Sequence, residues 1–280
     1  MKINYSTREL QAAAEALAAG HFRSASSSDP PARPTPCGRA AAWSPRDTHV
    51  VTVAAAHAGA GASTVALALA DAAAPAEPVR LLDAAAPPWS AMAAATSSEL
   101  GATDGWRRGR RGSGLVIDRV AVEASTPGHV PVPRVDANCA LTVVDLGWST
   151  RELASHPSSW LASTLAASSC VLVCRPVVSG LRQLEVTAGL LDQPPAVVVV
   201  LGASKWTETT FLDAGPTLRA ARAENRIVFV PDPGRSGGAA LDDAPLPKSL
   251  LRAGSQLLAL LNNIRSAATE TVDLEREIAS

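Results

Sequence analysis

The stretch from Val50 to Ala70, VVTVAAAHAGAGASTVALALA, constrains this chain more than any other. Its apolar opening predicts a buried strand over Val50 to Ala55. The small residues after it predict a loop over Ala56 to Ala62, and the Ala- and Leu-rich remainder a helix opening at Ser63-Thr64. A strand, a Gly-rich loop and a helix N-terminus bring backbone N–H groups together, and the helix dipole adds positive potential. The junction therefore has the makings of an anion site. The plain alternative is a tight strand-to-helix turn with no ligand, and Gly59 and Gly61 would serve that equally well.

The rest of the chain repeats this alternation of strand and helix. Val79 to Asp83, Leu115 to Val122, Ala140 to Asp145, Cys170 to Cys174, Ala196 to Leu201 and Ile227 to Val230 read as short, evenly apolar strands. Ser158 to Ala167, Leu181 to Leu191, Ala214 to Ala223 and Lys248 to Ile264 read as helices. Strands of that kind alternating with helices predict an α/β fold, a mostly parallel twisted sheet with helices on both faces. In such sheets ligands sit beyond the carboxyl ends of the strands. The Gly loop, Asp83 and Asp145 all follow strand ends and are expected to crowd one edge.

Hydrophobic residues make up 47% of the 280, which is ample for a core, but only 4% are aromatic, so Ala, Val and Leu must build it. A net charge of −1 gives no global reason to expect nucleic acid or an anionic membrane. No apolar run reaches spanning length, and MKINYSTREL does not read as a signal peptide. Cys37, Cys139, Cys170 and Cys174 lack zinc-like pairing. The last two fall on one face of a strand as buried free thiols, which fits a reducing cytoplasm.

The ends differ from the middle. Ser6-Thr7-Arg8-Glu9 is a capping box, and Leu10, Ala13, Ala14 and Leu17 recur at helical spacing, so residues 1–22 are expected to carry an amphipathic helix. It either packs on its own domain or docks a protein partner. Residues 23–47, rich in Ser, Pro and Ala, read as a flexible linker, residues 48–264 as the main domain and 265–280 as a polar tail. That tail carries Glu270, Asp273, Glu275 and Glu277 against Arg265 and Arg276, so no basic amphipathic membrane anchor is expected.

Taken in order, these pieces resemble one family. VVTVAAAHAGAGASTVALALADA resembles the deviant Walker A of the ParA/MinD group of P-loop ATPases, whose pattern is K-G-G-x-G-K-S/T-S/T. VRLLDAA resembles the family's next strand, which ends in Asp-x-Asp, and LTVVDLG its Walker B strand. CVLVCRPVVSGLRQLE, VVVVLG and VFVPDP resemble the later elements, so the likeness runs from about Val50 to Leu261. It implies a nucleotide loop of Gly59, Ala60, Gly61, Ala62, Ser63 and Thr64, joined by Asp83 and Asp145. It also implies ATP or ADP as cofactor with Mg held by Ser63 and Asp145, and a homodimer.

The departures decide what such a site can do. The signature lysine falls on His57, the next glycine on Ala58 and the Walker lysine on Ala62. The second acid of Asp-x-Asp falls on Ala85, and the base-reading Asn on Gly202-Ala203. Phosphoryl transfer is almost wholly positioning and charge stabilisation. Loss of both cations should remove about 3–4 kcal/mol of transition-state stabilisation or more, on the scale of one lost oxyanion donor. The resemblance therefore points to a degenerate, catalytically impaired ATPase that binds nucleotide weakly or not at all. It would act through partners in partition, positioning or conjugation-type machinery.

Two readings compete with that one. The first is an active ATPase with a rewired site. The second is a Rossmann-type dinucleotide binder, since Gly59-x-Gly61-x-x-Thr64 is near G-x-G-x-x-G/A and Asp83 follows about 20 residues on. Against the second, Ala56-His57-Ala58 stand between strand and first glycine. The run Trp106 to Arg111, WRRGRR, is expected as a solvated loop, with nucleic-acid contact through Arg107–Arg111 as the sharper alternative. Limited proteolysis should cut between Ser24 and Arg46 and leave a folded core; protection throughout would build the linker into the domain.

Overall fold

The computed structural model describes Trp43, Pro45 and residues 48–206, 212–231 and 241–279. The expected N-terminal helix lies outside the described residues, as does the linker apart from Trp43 and Pro45. Among the described residues the strands are β1 His49–Ala55, β2 Val79–Asp83, β3 Ser98–Thr103, β4 Trp106–Arg111, β5 Leu115–Val120, β6 Leu141–Asp145, β7 Ser169–Cys174, β8 Val197–Leu201 and β9 Ile227–Val230. The helices are α1 Ala62–Ala73, α2 Thr150–Ala154, α3 Trp160–Ala167, α4 Val178–Ala188, α5 Pro216–Ala223 and α6 Lys248–Ala279.

All nine strands join one sheet in the order β3-β4-β5-β2-β6-β1-β7-β8-β9. Every pairing from β5 to β9 is parallel, and only β3 with β4 and β4 with β5 are antiparallel. Successive residues of a strand face opposite sides of a sheet. Val51, Leu81, Val143, Val171 and Val197 accordingly point into a core covered by α1 and α6. Leu82, Val144, Leu172 and Val198 point into a second core under Leu153, Leu161, Leu181, Leu184 and Leu218 of the other helices. This is the doubly covered α/β architecture that the alternation of apolar strands and helices implies. The buried free thiols Cys170 and Cys174 both fall in the second core.

Three expectations need correction. Trp106–Arg111 is not a loop but strand β4, the middle of an antiparallel extension of the sheet. Its arginines are largely tied down. Arg108 donates from Nε to Asp118 at 2.8 Å and from Nη1 to Asp136 at 3.1 Å. Buried Arg111 donates to Asp71 at 2.9 Å and to the carbonyls of Ala95, Asp242 and Ala244. Arg107 and Arg110 remain exposed. The polar tail is not a separate segment either, because α6 runs on to Ala279. Residues 265–279 contain no Gly or Pro and several good helix formers, so nothing in them stops the helix. Trp43 is buried, edge-on to Trp160 with ring centroids 5.5 Å apart, so that point of the expected linker is packed on the domain.

Asp118 is the hub of the extension, buried between Arg80 Nε at 2.6 Å and Arg108. Arg80 is as buried as its partner. Removing one member of a buried pair leaves an uncompensated charge. Asp118→Ala should therefore lower unfolding stability by about 3–5 kcal/mol, read as a fall in the urea midpoint at unchanged slope.

Candidate functional site

The Gly loop joins β1 to α1 as expected, and its shape is set by backbone requirements. Gly61 caps α1 in the left-handed region, at φ 94°, with no side-chain cap. A Cβ there would lie 2.1 Å from Leu201 Cδ2, so any other residue would both strain the backbone and displace that side chain. The first helical bond runs from Val65 N to the Gly61 carbonyl at 3.1 Å. The amides of Ala62, Ser63 and Thr64 are left facing outward from the helix start, with no acidic residue in the first turn. Ala60 N is turned inward on the His57 carbonyl at 3.1 Å.

His57, the titratable side chain of the loop, is held by backbone groups on both ring nitrogens. The backbone N–H of Arg175 donates to its Nε2 at 3.3 Å, while Nδ1 lies 2.9 Å from the Ala58 carbonyl. A ring that accepts at Nε2 carries its proton at Nδ1 and donates it to that carbonyl. Arg175 Nε also reaches the Gly59 carbonyl at 3.4 Å. His57 thus clips the loop to the turn after β7 rather than presenting a cation to a phosphate.

Asp83 and Asp145 end adjacent parallel strands and are direct register partners. Asp83 accepts from Ser90 Oγ at 2.5 Å and from Ala85 N at 3.2 Å. Burial raises its pKa, while those hydrogen bonds and Arg119 pull the other way. Asp145 is fully buried, and neither carboxylate oxygen has a hydrogen-bond partner. Burial first, and then the neighbouring Asp83, push its pKa up to about 7. The Ser63 hydroxyl and the Gly147 amide lean toward it and oppose that rise without closing a full hydrogen bond. A buried acid without a hydrogen-bond partner, beside a hydroxyl at the start of a helix, is a polar group that calls for an explanation.

These groups open into one cleft of about 910 Å³, lined by the loop from Ala55 to Thr64, by Trp89 and Ser90, by Asp145 and by Gly147 to Glu152. The far wall is as constrained as the loop. At Gly147 φ is 66°, and a Cβ would lie 2.5 Å from the Ala85 backbone. Trp148 Nε1 donates to the Ala84 carbonyl at 2.8 Å, and Ser149 and Glu152 close a capping box on α2. The structure thus brings together Gly59, Ala60, Gly61, Ala62, Ser63, Thr64 and Asp145, with Asp83 just behind Asp145. Ala85 packs against Gly147.

Sequence reasoning missed Ser90, Trp148 and Arg151. A signal existed for the last two, since Ser149-x-x-Glu152 directly after the third strand is a helix-start signature. Ser90 gave none. Among the described residues no three His, Cys, Asp or Glu side chains cluster as a metal cage. Magnesium is commonly held by one or two protein groups together with phosphates, and Ser63 with Asp145 fits that pattern.

No protein-family model matches the chain, and no curated protein does. Among solved structures it is similar to a plasmid partition protein from Borrelia burgdorferi, at 11% identity over 78% of this chain and 100% of that one, with a TM-score of 0.49. It is similar to the septum site-determining protein MinD from Pyrococcus horikoshii, complexed with Mg-ADP, at 16% identity over 79% and 97% with a TM-score of 0.46. A ParA family ATPase from Chlorobium tepidum matches at 16% identity over 76% and 99%, also at 0.46. The likeness is one of fold.

Because the pKa of Asp145 is raised from 3.8 to about 7, its contribution to stability is fully present below pH 3.8 and is lost as pH rises through 7. Asp145→Asn removes that loss. In EDTA the variant should gain on the wild type by about 1 kcal/mol or more between pH 5 and pH 8, since one pKa unit corresponds to about 1.4 kcal/mol. Parallel stability curves across that window would contradict the burial argument.

Proposed function

We propose that the cleft is a Mg-nucleotide site of the ParA/MinD kind that has given up hydrolysis. The chain would act through what it binds, in partition, positioning or conjugation-type machinery. The observation that carries this reading is Asp145, buried and unpartnered, set against Ser63 at the uncapped start of α1.

In this reading the amides of the loop and the first turn of α1 receive the phosphates. Ser63 and Asp145 hold Mg, which neutralises charge on the phosphate oxygens. A cation there also relieves the cost of keeping two acids side by side, because it lets both ionise. No lysine reaches the phosphates, since Ala62 is buried with a methyl group and His57 is committed to the loop. Binding then rests on backbone dipoles and magnesium, and the transition state gains little beyond the ground state. Such a site suits a nucleotide-sensing adaptor better than a catalyst. This reading favours a protein partner, docked through the N-terminal segment, and a second copy of the chain. Among the described residues no helix is long and apolar enough to cross a membrane.

Two measurements test it. Steady-state phosphate release by the isolated protein should not exceed that of Ser63→Ala; release well above that control would favour an active, rewired ATPase. Ala62→Lys should raise ATP affinity by about 1.5–3 kcal/mol, the worth of a charge-assisted hydrogen bond. Lysine is a good helix former, but Ala62 is packed at the cleft wall, so the variant's melting curve should first be matched to the wild type. Calorimetry showing no nucleotide binding by either form would reduce the loop to a structural turn.

A further inference from the structure

The cleft wall opposite the loop carries a cation in an unusual setting. Its titratable lining residues are His57, Asp145, Arg151 and Glu152. The His57 ring is held by Arg175 N and the Ala58 carbonyl. Glu152 is turned onto its own helix start, where its carboxylate accepts from Ser149 N at 2.9 Å and from Ser149 Oγ at 2.7 Å. Arg151, the second residue of α2, is exposed at the cleft with its acidic neighbour occupied in the capping box. Of the lining residues it alone carries a permanent positive charge.

We infer that Arg151 is the phosphate-binding cation of this cleft, replacing from the far wall the lysine that Ala62 cannot supply. The inference rests on the nucleotide reading above and adds to it the residue that decides selectivity for the more highly phosphorylated ligand. The wall is built to hold that position. Gly147 lets the chain pass over Ala85, Trp148 is anchored on the Ala84 carbonyl, and the capping box fixes the first turn of α2. A guanidinium also suits the task, because its planar donors match two phosphate oxygens at once.

The experiment is calorimetric titration of the full chain with Mg-ATP and Mg-ADP, for wild type, Arg151→Ala, Arg151→Lys and Arg219→Ala. Arg219 lies on α5 and outside the cleft, and reports the effect of bulk charge. The expected result is Mg-ATP binding weakened about tenfold or more in Arg151→Ala, as for a lost charge-assisted hydrogen bond. Mg-ADP should be weakened less, binding should be partly restored in Arg151→Lys, and Arg219→Ala should match the wild type. Arg151→Ala removes an exposed side chain for a better helix former, and its melting curve should match the wild type. Wild-type affinity in Arg151→Ala would overturn the inference and leave the nucleotide reading intact. An equal loss in Arg219→Ala would overturn it in favour of bulk charge. No binding by the wild type would overturn both.

Discussion

Two buried carboxylates side by side at the ends of β2 and β6 set the terms for the rest of this structure. Asp83 and Asp145 are register partners on adjacent parallel strands, and their side chains meet below the cleft. Like charges at that spacing in a low-dielectric setting cannot both ionise without help. Asp83 has help, from Ser90 Oγ, Ala85 N and, at longer range, Arg119. Asp145 has none that completes a hydrogen bond, so the shared strain falls on it. A fold that served only to bury a core would have little reason to keep such an acid. Its position behind Ser63 and the uncapped amides of α1 makes sense when a cation bridges protein and phosphate.

The distribution of positive charge is the counterpart of that constraint. Four arginines, Arg80, Arg108, Arg111 and Arg119, are used to build the sheet edge. Arg80 and Arg108 neutralise Asp118, Arg111 ties β4 to Asp71 and to the 242–244 segment, and Arg119 holds the chain around Met92 and Ala93. The loop itself carries no lysine or arginine, and its one titratable side chain, His57, serves as a clip. In the proposed reading the chain combines the backbone of a phosphate site with none of the charges that make such a site fast. Geometry and charge are separable because the first is a backbone property, held by Gly61 and Leu201, and the second depends on side chains alone.

Legibility in the sequence divides along the same line. The parallel strands were readable because both of their faces are buried and their residues are evenly apolar, as in LTVVD and VVVVL. The loop, Asp83 and Asp145 were readable because topology alone places strand ends together. Strands β3 and β4 were not, since β3 is exposed along its whole length and β4 is mostly arginine, so neither carries an apolar alternation. The role of His57 depends on Arg175, more than a hundred positions away, and no local pattern announces it. The continuation of α6 past Ile264 is hard to read because polarity does not stop a helix; only Gly, Pro or a cap would.

The central claim is that a lysine-free loop and a buried acid still make a magnesium-dependent nucleotide site. Thermal-shift measurements on the full chain with ATP, ADP, GTP and NAD, each with and without magnesium, test it most directly. Stabilisation follows the logarithm of ligand concentration over Kd, so even millimolar affinity is visible at sufficient ligand. The expected result is a rise in Tm with ATP and ADP that requires magnesium, and none with NAD. A flat response to every nucleotide at millimolar concentration, or a shift with NAD that ignores magnesium, would contradict it.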